Sequence, residues 1–270
     1  MNEDEPSEFG GAGVAVDFVR HRNTLVARGE LGTLFTDYYL HLADQKLHYS
    51  EEQAALFKAA LAAFTLHCAS RPLHEHLAWT LNFQVPRLNL FLAGDNEDCT
   101  VTGRLFTENV KVADHNLFYS DIVPRRGAET RRSVVNFHGS DVFAAASKYY
   151  SHSEQRPARY FDLGGDDYAM LGAHPDYDAA WFTGLNEAGV RTLARTETLA
   201  RIERRFYRWH CGCTQQKILA VMAPTFRVDP DGLFGGGETI RVECPRCAAV
   251  FVITRESMES YLAHSQKGGA

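Results

Sequence analysis

Cys211 and Cys213 stand one residue apart in HCGCTQQKILAVM, and thirty residues further on Cys244 and Cys247 flank a Pro-Arg pair in VECPRCAAVFVI. These two short pieces hold four of the six cysteines in a 270-residue chain. Four soft thiolates are the ligand set of a closed tetrahedral zinc site. Gly212 lets the backbone turn sharply enough for both flanking sulfurs to face one ion, and Cys244-Pro245-Arg246-Cys247 has the spacing of a zinc knuckle. Four thiolates around one divalent ion leave about two negative charges, and Lys217, Arg241, Arg246 and Arg255 are near enough in sequence to balance them. No fifth ligand or open position is evident, so one zinc ion per chain is expected as a structural ion rather than one that activates water.

Other chemistries use the same residue type. A structural zinc ribbon without redox activity accounts for the spacing by itself. An iron–sulfur cluster also takes four cysteines, but a Cys-x-Cys with a distant Cys-x-x-Cys is unusual for one. A thioredoxin-type pair should open a helix after a strand, whereas AAVFVIT after Cys247 reads as a strand. His210 is expected to be a bystander beside four thiols. Cys68 and Cys99, each alone on a core-like segment, read as small buried hydrophobes.

The elements that must position these residues begin after an acidic, Gly-rich start, residues 1–13, expected to be disordered. VAVDFVR and NTLVARGE alternate as a strand pair, and LGTLFTDYYLHLADQ follows as a helix. Ser50 to Gln53 has the capping-box form opening the Ala-rich helix AALFKAALAAFTLHCA. LAWTLNFQ, RLNLFLAG, CTVTGRLF, LFYSDIV and RSVVNFH read as strands divided by Pro, Gly, Asp and Asn. A helix at Val142 to Tyr150 and the strands ARYFDLG and YAMLGA close this region. Strands and helices without strict alternation predict an α+β fold: a mixed core at residues 14–175, a helical linker at 176–209 and a small module at 210–265.

The linker reading rests on TLARTETLARIERRFYRWH. Leu199, Ile202, Phe206 and Trp209 fall at 3-4-3 spacing on one helical face, with Arg201, Arg204, Arg205 and Arg208 on a neighbouring one. Such a stripe most often packs on a core, and such an arginine strip is most often a solvated face. GLFGGG, residues 232–237, reads as a flexible loop between the cysteine pairs, and RESMESYLAH as a closing helix.

Composition bounds the function. Apolar residues make up 45% and charged residues 23%, the profile of a globular protein. No run of about 18 apolar residues could span a membrane. The start of the chain lacks the basic and apolar pattern of a secretory signal, so a cytoplasmic location is expected. There, clustered cysteines point to metal or redox chemistry rather than structural disulfides. A net charge of -6 argues against coating nucleic acid with the whole surface.

The cysteine spacing near the end of the chain, after a charged stretch, resembles the heat shock protein 33 family of redox-regulated chaperones. VARGELGTLF (Val26 to Phe35) is similar to that family's Arg-Gly-Glu segment leading into its first helix. YYSHSEQRPARYF (Tyr149 to Phe161) is similar to its Ser-Glu-Gln-x-Pro motif. The resemblance spans Val14 to Ala263 in the same order. Two departures stand out: NFQVPRLNL carries Val85 and Pro86 where the family has a Gly-Asp-Gly-Pro turn, and the segment before Cys211 is shorter.

The resemblance implies zinc on Cys211, Cys213, Cys244 and Cys247 in a reduced, inactive protein. It implies that oxidation closes Cys211–Cys213 and Cys244–Cys247 disulfides, releases the metal and unfolds the module with its linker. Leu199, Ile202, Phe206 and Trp209 are then the candidate surface for unfolded protein clients, with a homodimer as the oxidised form. A zinc-ribbon protein that binds nucleic acid through Arg201 to Arg208 is the alternative. An enzyme is a weaker third reading. His67, His74 and His76 are scattered, the HEH at 74–76 lacks the spacing of a zinc hydrolase, and no phosphate-cradling glycine motif is present.

Overall fold

A computed structural model describes residues 10–110, 114–124 and 129–267. Residues 1–9 lie outside the described residues, so the expectation of disorder there stands as one, while Ala12 and Gly13 already belong to the first strand. The chain divides into two compact units, Met1–His210 and Cys211–Ala270.

The first unit runs β1 (Ala12–Val19), β2 (Thr24–Glu30), α1 (Gly32–Gln45), α2 (Glu51–Ala69), β3 (Glu75–Phe83), β4 (Leu88–Asp95), β5 (Thr100–Phe106), β6 (Asn116–Pro124) and β7 (Arg131–Phe137). It continues α3 (Val142–His152), β8 (Ala158–Asp162), β9 (Asp167–Ala173), α4 (Ala179–Gly184), α5 (Glu187–Thr196) and β10 (Leu199–Trp209). The strands form one sheet in the order β7-β6-β3-β4-β5-β10-β1-β2-β9-β8. The capping box at Ser50 is present: its hydroxyl accepts from the Gln53 backbone N–H at 3.2 Å, and its own N–H donates to Gln53 Oε1 at 3.0 Å. Two of the four orphan donors of the α2 start are thereby satisfied.

Strand alternation builds the core. Leu77, Trp79, Leu81 and Phe83 of β3 point inward, as do Leu88, Leu90 and Leu92 of β4, and α2 is buried along almost its entire second half. Phe118 stacks on Tyr149 of α3 at 5.1 Å, with Trp79 edge-on to Phe118. After Asp167, β9 is buried along its whole length because it is covered on both faces. Tyr168 and Met170 join the main core, while Ala169, Leu171 and Ala173 pack with Phe182 of α4 and with Val190 and Leu193 of α5.

The expected helical linker is a correction. Only residues 179–184 and 187–196 are helical, in α4 and α5; Leu199 to Trp209 is strand β10, paired antiparallel to β1. The pairing jumps from Val16–Glu203 to Asp17–Arg201, which leaves Ile202 as a bulge. The four apolar residues therefore share no stripe. Leu199 lies beside Arg201 and Arg204 in a groove floored by Gly13 and Ala15, Ile202 is 53% exposed, and Phe206 packs over Gly13. Trp209 meets Tyr38, His41 and Phe57 at 4.9, 5.6 and 6.2 Å between ring centroids.

The arginines also divide. Arg205 is buried and held by Glu203 at 2.6 Å, Arg201 pairs with Asp17 at 2.6 Å, and Arg204 lies over the Phe206 ring at 5.2 Å. Tyr207, fully buried, donates to Asn96 Oδ1 at 3.0 Å.

The second unit contains α6 (Gln215–Val228), α7 (Pro230–Phe234), β11 (Thr239–Glu243), β12 (Val250–Thr254) and α8 (Arg255–Lys267). β11 and β12 form a hairpin, and Leu219, Met222, Phe226, Phe234, Ile253 and Met258 make a small core of their own. The predicted loop at 232–237 is in part helix α7, which ends at Gly235 in the left-handed conformation.

A strand with a bulge gives a different mutational signature from a helical stripe. Tyr207→Ala should lower the unfolding free energy by about 3–5 kcal/mol, whereas Ile202→Ser should change it by less than about 0.5 kcal/mol. Urea titrations of the two variants check this; a large loss from Ile202→Ser would restore the helical face.

Candidate metal centre

The four cysteines come together on the elements flanking the hairpin. Trp209 ends β10, and Cys211 follows two residues later. Gly212 takes φ +63°, the left-handed region the Cys-x-Cys turn was expected to need. Thr214 then caps α6, its hydroxyl accepting from the Lys217 N–H at 3.3 Å. Cys244 and Cys247 sit in the turn between β11 and β12. The Cys244 N–H donates to the Ala249 carbonyl at 2.8 Å, and the Ala248 N–H returns to the Cys244 carbonyl at 2.9 Å. Ala248 at φ +63° completes the knuckle.

All four Sγ atoms lie within 4.8 Å of one another. Cys211 and Cys244 are 3.7 Å apart and Cys213 and Cys247 3.6 Å apart, so no disulfide joins them. A tetrahedron of ~2.3 Å metal–sulfur bonds has sulfur–sulfur edges of about 3.8 Å, so the donor set fits one tetrahedral ion. Cys244 and Cys247 are buried and the other two partly so.

Electrostatics points the same way. Hydrogen bonding from Cys247, reinforced by Cys244 and by the charge of Arg246, brings the Cys211 thiol down to about 5. Burial, then the neighbouring Cys211 thiolate, pushes Cys213 up to about 12. The hydrogen bond it gives Cys211, with burial, raises Cys247. Clustered sulfurs without a cation thus concentrate charge on one member, and a divalent ion relieves the conflict for all four.

The predicted charge-balancing residues divide. Arg246 acts on Cys211, and Lys217 Nζ donates to the Gly212 carbonyl at 2.7 Å. Arg255 is instead committed to Asp231 at 2.9 Å and to the Gly237 carbonyl at 2.8 Å. His210 donates its backbone N–H to the Val101 carbonyl at 3.0 Å and is not part of the sulfur cluster. Cys68 is fully buried, and burial raises its thiol well above the ordinary range; Cys99 is half-buried.

The histidines occupy unrelated places. His67 is buried against the Tyr150 hydroxyl at 2.6 Å, while His74 and His76 face Glu97 and Asp95 at 3.6 and 3.2 Å. Sequence reasoning did not anticipate the buried Arg205 and its pairing with Glu203, or the Trp209 aromatic cluster at the end of β10, because both depend on strand geometry. No helix among the described residues is long and apolar enough to cross a membrane.

No protein-family model matches the chain. A curated relative does: the 33 kDa chaperonin of Proteus mirabilis, 23% identical, with 86% of this chain and 91% of the relative covered. Among solved structures, the crystal structure of the 33 kDa chaperonin (heat shock protein 33 homologue) of Thermotoga maritima aligns with a TM-score of 0.69. That alignment covers 95% of this chain and 99% of that one at 12% identity, and it shows a shared fold. The resemblance to the heat shock protein 33 family read from the motifs is borne out.

The geometry makes each sulfur accountable. Cys211→Ser and Cys244→Ser should each lower retained metal by more than about tenfold, while Cys68→Ser should leave it unchanged. Metal content after dialysis against a competing chelator measures this. Full retention in either of the first two variants would overturn the four-sulfur site.

Proposed function

We propose that this chain, a relative of the heat shock protein 33 family in motif order and in fold, is a redox-regulated holdase chaperone whose four-cysteine site carries zinc. The convergence of four sulfurs within 4.8 Å directly after strand β10 is the observation that supports it. Bound zinc keeps its ligands ionised, the form of cysteine that oxidants attack.

Peroxide adds oxygen to one sulfur of a pair, giving a sulfenic acid as the other peroxide oxygen leaves as water. The neighbouring thiolate then displaces hydroxide, which takes a proton to leave as water, and a disulfide closes. Each disulfide removes two electrons from the cysteines, so Cys211–Cys213 and Cys244–Cys247 together consume two peroxides. Once both pairs are oxidised, no thiolate is left to hold a metal.

Structural zinc contributes on the order of 10–16 kcal/mol, against a typical domain stability of about 5–15 kcal/mol. A unit of roughly 60 residues with a small core therefore unfolds when the metal goes. Its unfolding frees the chain next to β10. The pairing between β10 and β5 is short, with Arg208 opposite Thr100 and Trp209 opposite Val101, backed by the Arg208 and His210 N–H bonds to Cys99 and Val101.

Fraying there uncovers Trp209, Tyr38 and Phe57, an aromatic surface for unfolded clients. Phe206, Leu199 and Ile202 follow only if the strand also leaves β1, to which it is paired from Leu199 to Tyr207. The nucleic-acid reading loses support because Arg201 and Arg205 are already paired with Asp17 and Glu203. A reducing compartment such as the cytoplasm suits a switch that rests as thiolates.

Peroxide with mild heat should convert the reduced, metal-loaded protein from a poor suppressor of client aggregation into an effective one, with no nucleotide added. Light scattering of a thermally unfolding client follows the change, and a reductant with zinc should reverse it. Equal suppression by reduced and oxidised samples would mean a constitutive chaperone with a structural metal.

A further inference from the structure

The ten-stranded sheet has two ends, β7 and β8, each paired to a single strand among the described residues. At one end, β7 pairs only with β6 among the described residues, and no backbone hydrogen bond reaches it from its other side. That open edge runs beside α3 and leaves a groove of about 600 Å³ lined by Ser133, Val134, Val135 and Asn136 of the strand and by Lys148, His152 and Ser153 of the helix end. The titratable residues lining it are Lys148 and His152, with no carboxylate among them. Val134 is half exposed on the strand's other face, and Ser153 fixes the helix end to the strand through a 2.5 Å hydroxyl contact with Ser133.

We infer that the β7 edge and the adjacent end of α3 form a docking groove for an extended, acidic client segment, added as an eleventh strand. The inference rests on the chaperone reading and names where and how a client is held. A bare edge offers unpaired N–H and C=O groups to any extended chain. The side chains of the added strand alternate between two faces. Those toward α3 meet Lys148 and His152 and suit carboxylates; those on the opposite face lie along Val134 and suit apolar groups. Affinity comes from the backbone ladder, which is indifferent to sequence, and charge supplies the selection.

A second copy of β7 fits less well. Its Arg131 and Arg132 would be brought toward a groove already positive, although each is held within its own sheet by Glu75 at 3.3 Å and Asp121 at 2.6 Å. Arg131 and Arg132 protect the start of the edge by charge, whereas Lys148 and His152 of the groove belong to the helix and not to the strand.

The test uses the full-length, zinc-loaded protein and its oxidised form, with a labelled peptide of alternating glutamate and valine. Hydrogen exchange of residues 131–137 should slow on peptide addition. Methylating the ladder-forming amides of the peptide should weaken binding about tenfold, the loss of two backbone hydrogen bonds. Lys148→Glu should weaken it about tenfold and shift preference to a lysine–valine peptide.

Equal binding of the methylated peptide, unchanged binding by Lys148→Glu, or protection confined to other strands would each overturn the groove. Concentration-dependent protection of 131–137 without peptide would assign the edge to a second copy instead. Oxidised Lys148→Glu should also suppress client aggregation less than the oxidised parent. If the parent suppresses and the variant does so equally, the groove fails and the chaperone reading stands. If the parent suppresses nothing while the peptide docks on β7, the chaperone reading fails and the groove stands.

Discussion

Four sulfurs held within 4.8 Å cannot all carry charge unless a cation sits among them, and the second unit is arranged around that constraint. Its backbone adopts left-handed turns at Gly212 and Ala248 so that two short turns present their sulfurs to one point. Its apolar core, Leu219, Met222, Phe226, Phe234, Ile253 and Met258, is small for a chain of roughly 60 residues, and a unit of that size leans on a cross-link. Under the proposed function, the state of the sulfurs decides whether this unit is folded.

β10 is the element through which that decision can matter to the first unit. It lies between β5 and β1, and so joins the β7-β6-β3-β4-β5 half of the sheet to the β1-β2-β9-β8 half. Its hold on β1 is long and its hold on β5 brief. The brief side is also the end nearest Cys211 and carries Trp209 into the Tyr38–Phe57 cluster. A strand anchored firmly along one edge and lightly at its last residues can fray there, parting the two halves of the sheet while it stays paired to β1.

Most of the fold was legible from local pattern. The capping box at Ser50, the inward alternation of Leu77, Trp79, Leu81 and Phe83, and the spacing of the four cysteines each reflect one physical rule acting over a few residues. β10 was not legible, for two identifiable reasons. The bulge at Ile202 breaks the two-residue period, so Leu199, Ile202, Phe206 and Trp209 fall by coincidence at helical spacing. An inward position is also filled by Arg205, buried and paired with the partly exposed Glu203, where a strand pattern would show an apolar residue. The groove beside β7 was beyond sequence reasoning altogether, because it depends on which strand the topology leaves at the end of the sheet.

The central claim is that Cys211, Cys213, Cys244 and Cys247 form one closed all-sulfur shell around zinc. X-ray absorption at the zinc edge on the reduced protein tests it most directly. Four sulfur neighbours at about 2.3 Å and no nitrogen or oxygen in the first shell are the predicted result. A shell with a histidine nitrogen or a water oxygen would contradict it, by making the site either differently ligated or open.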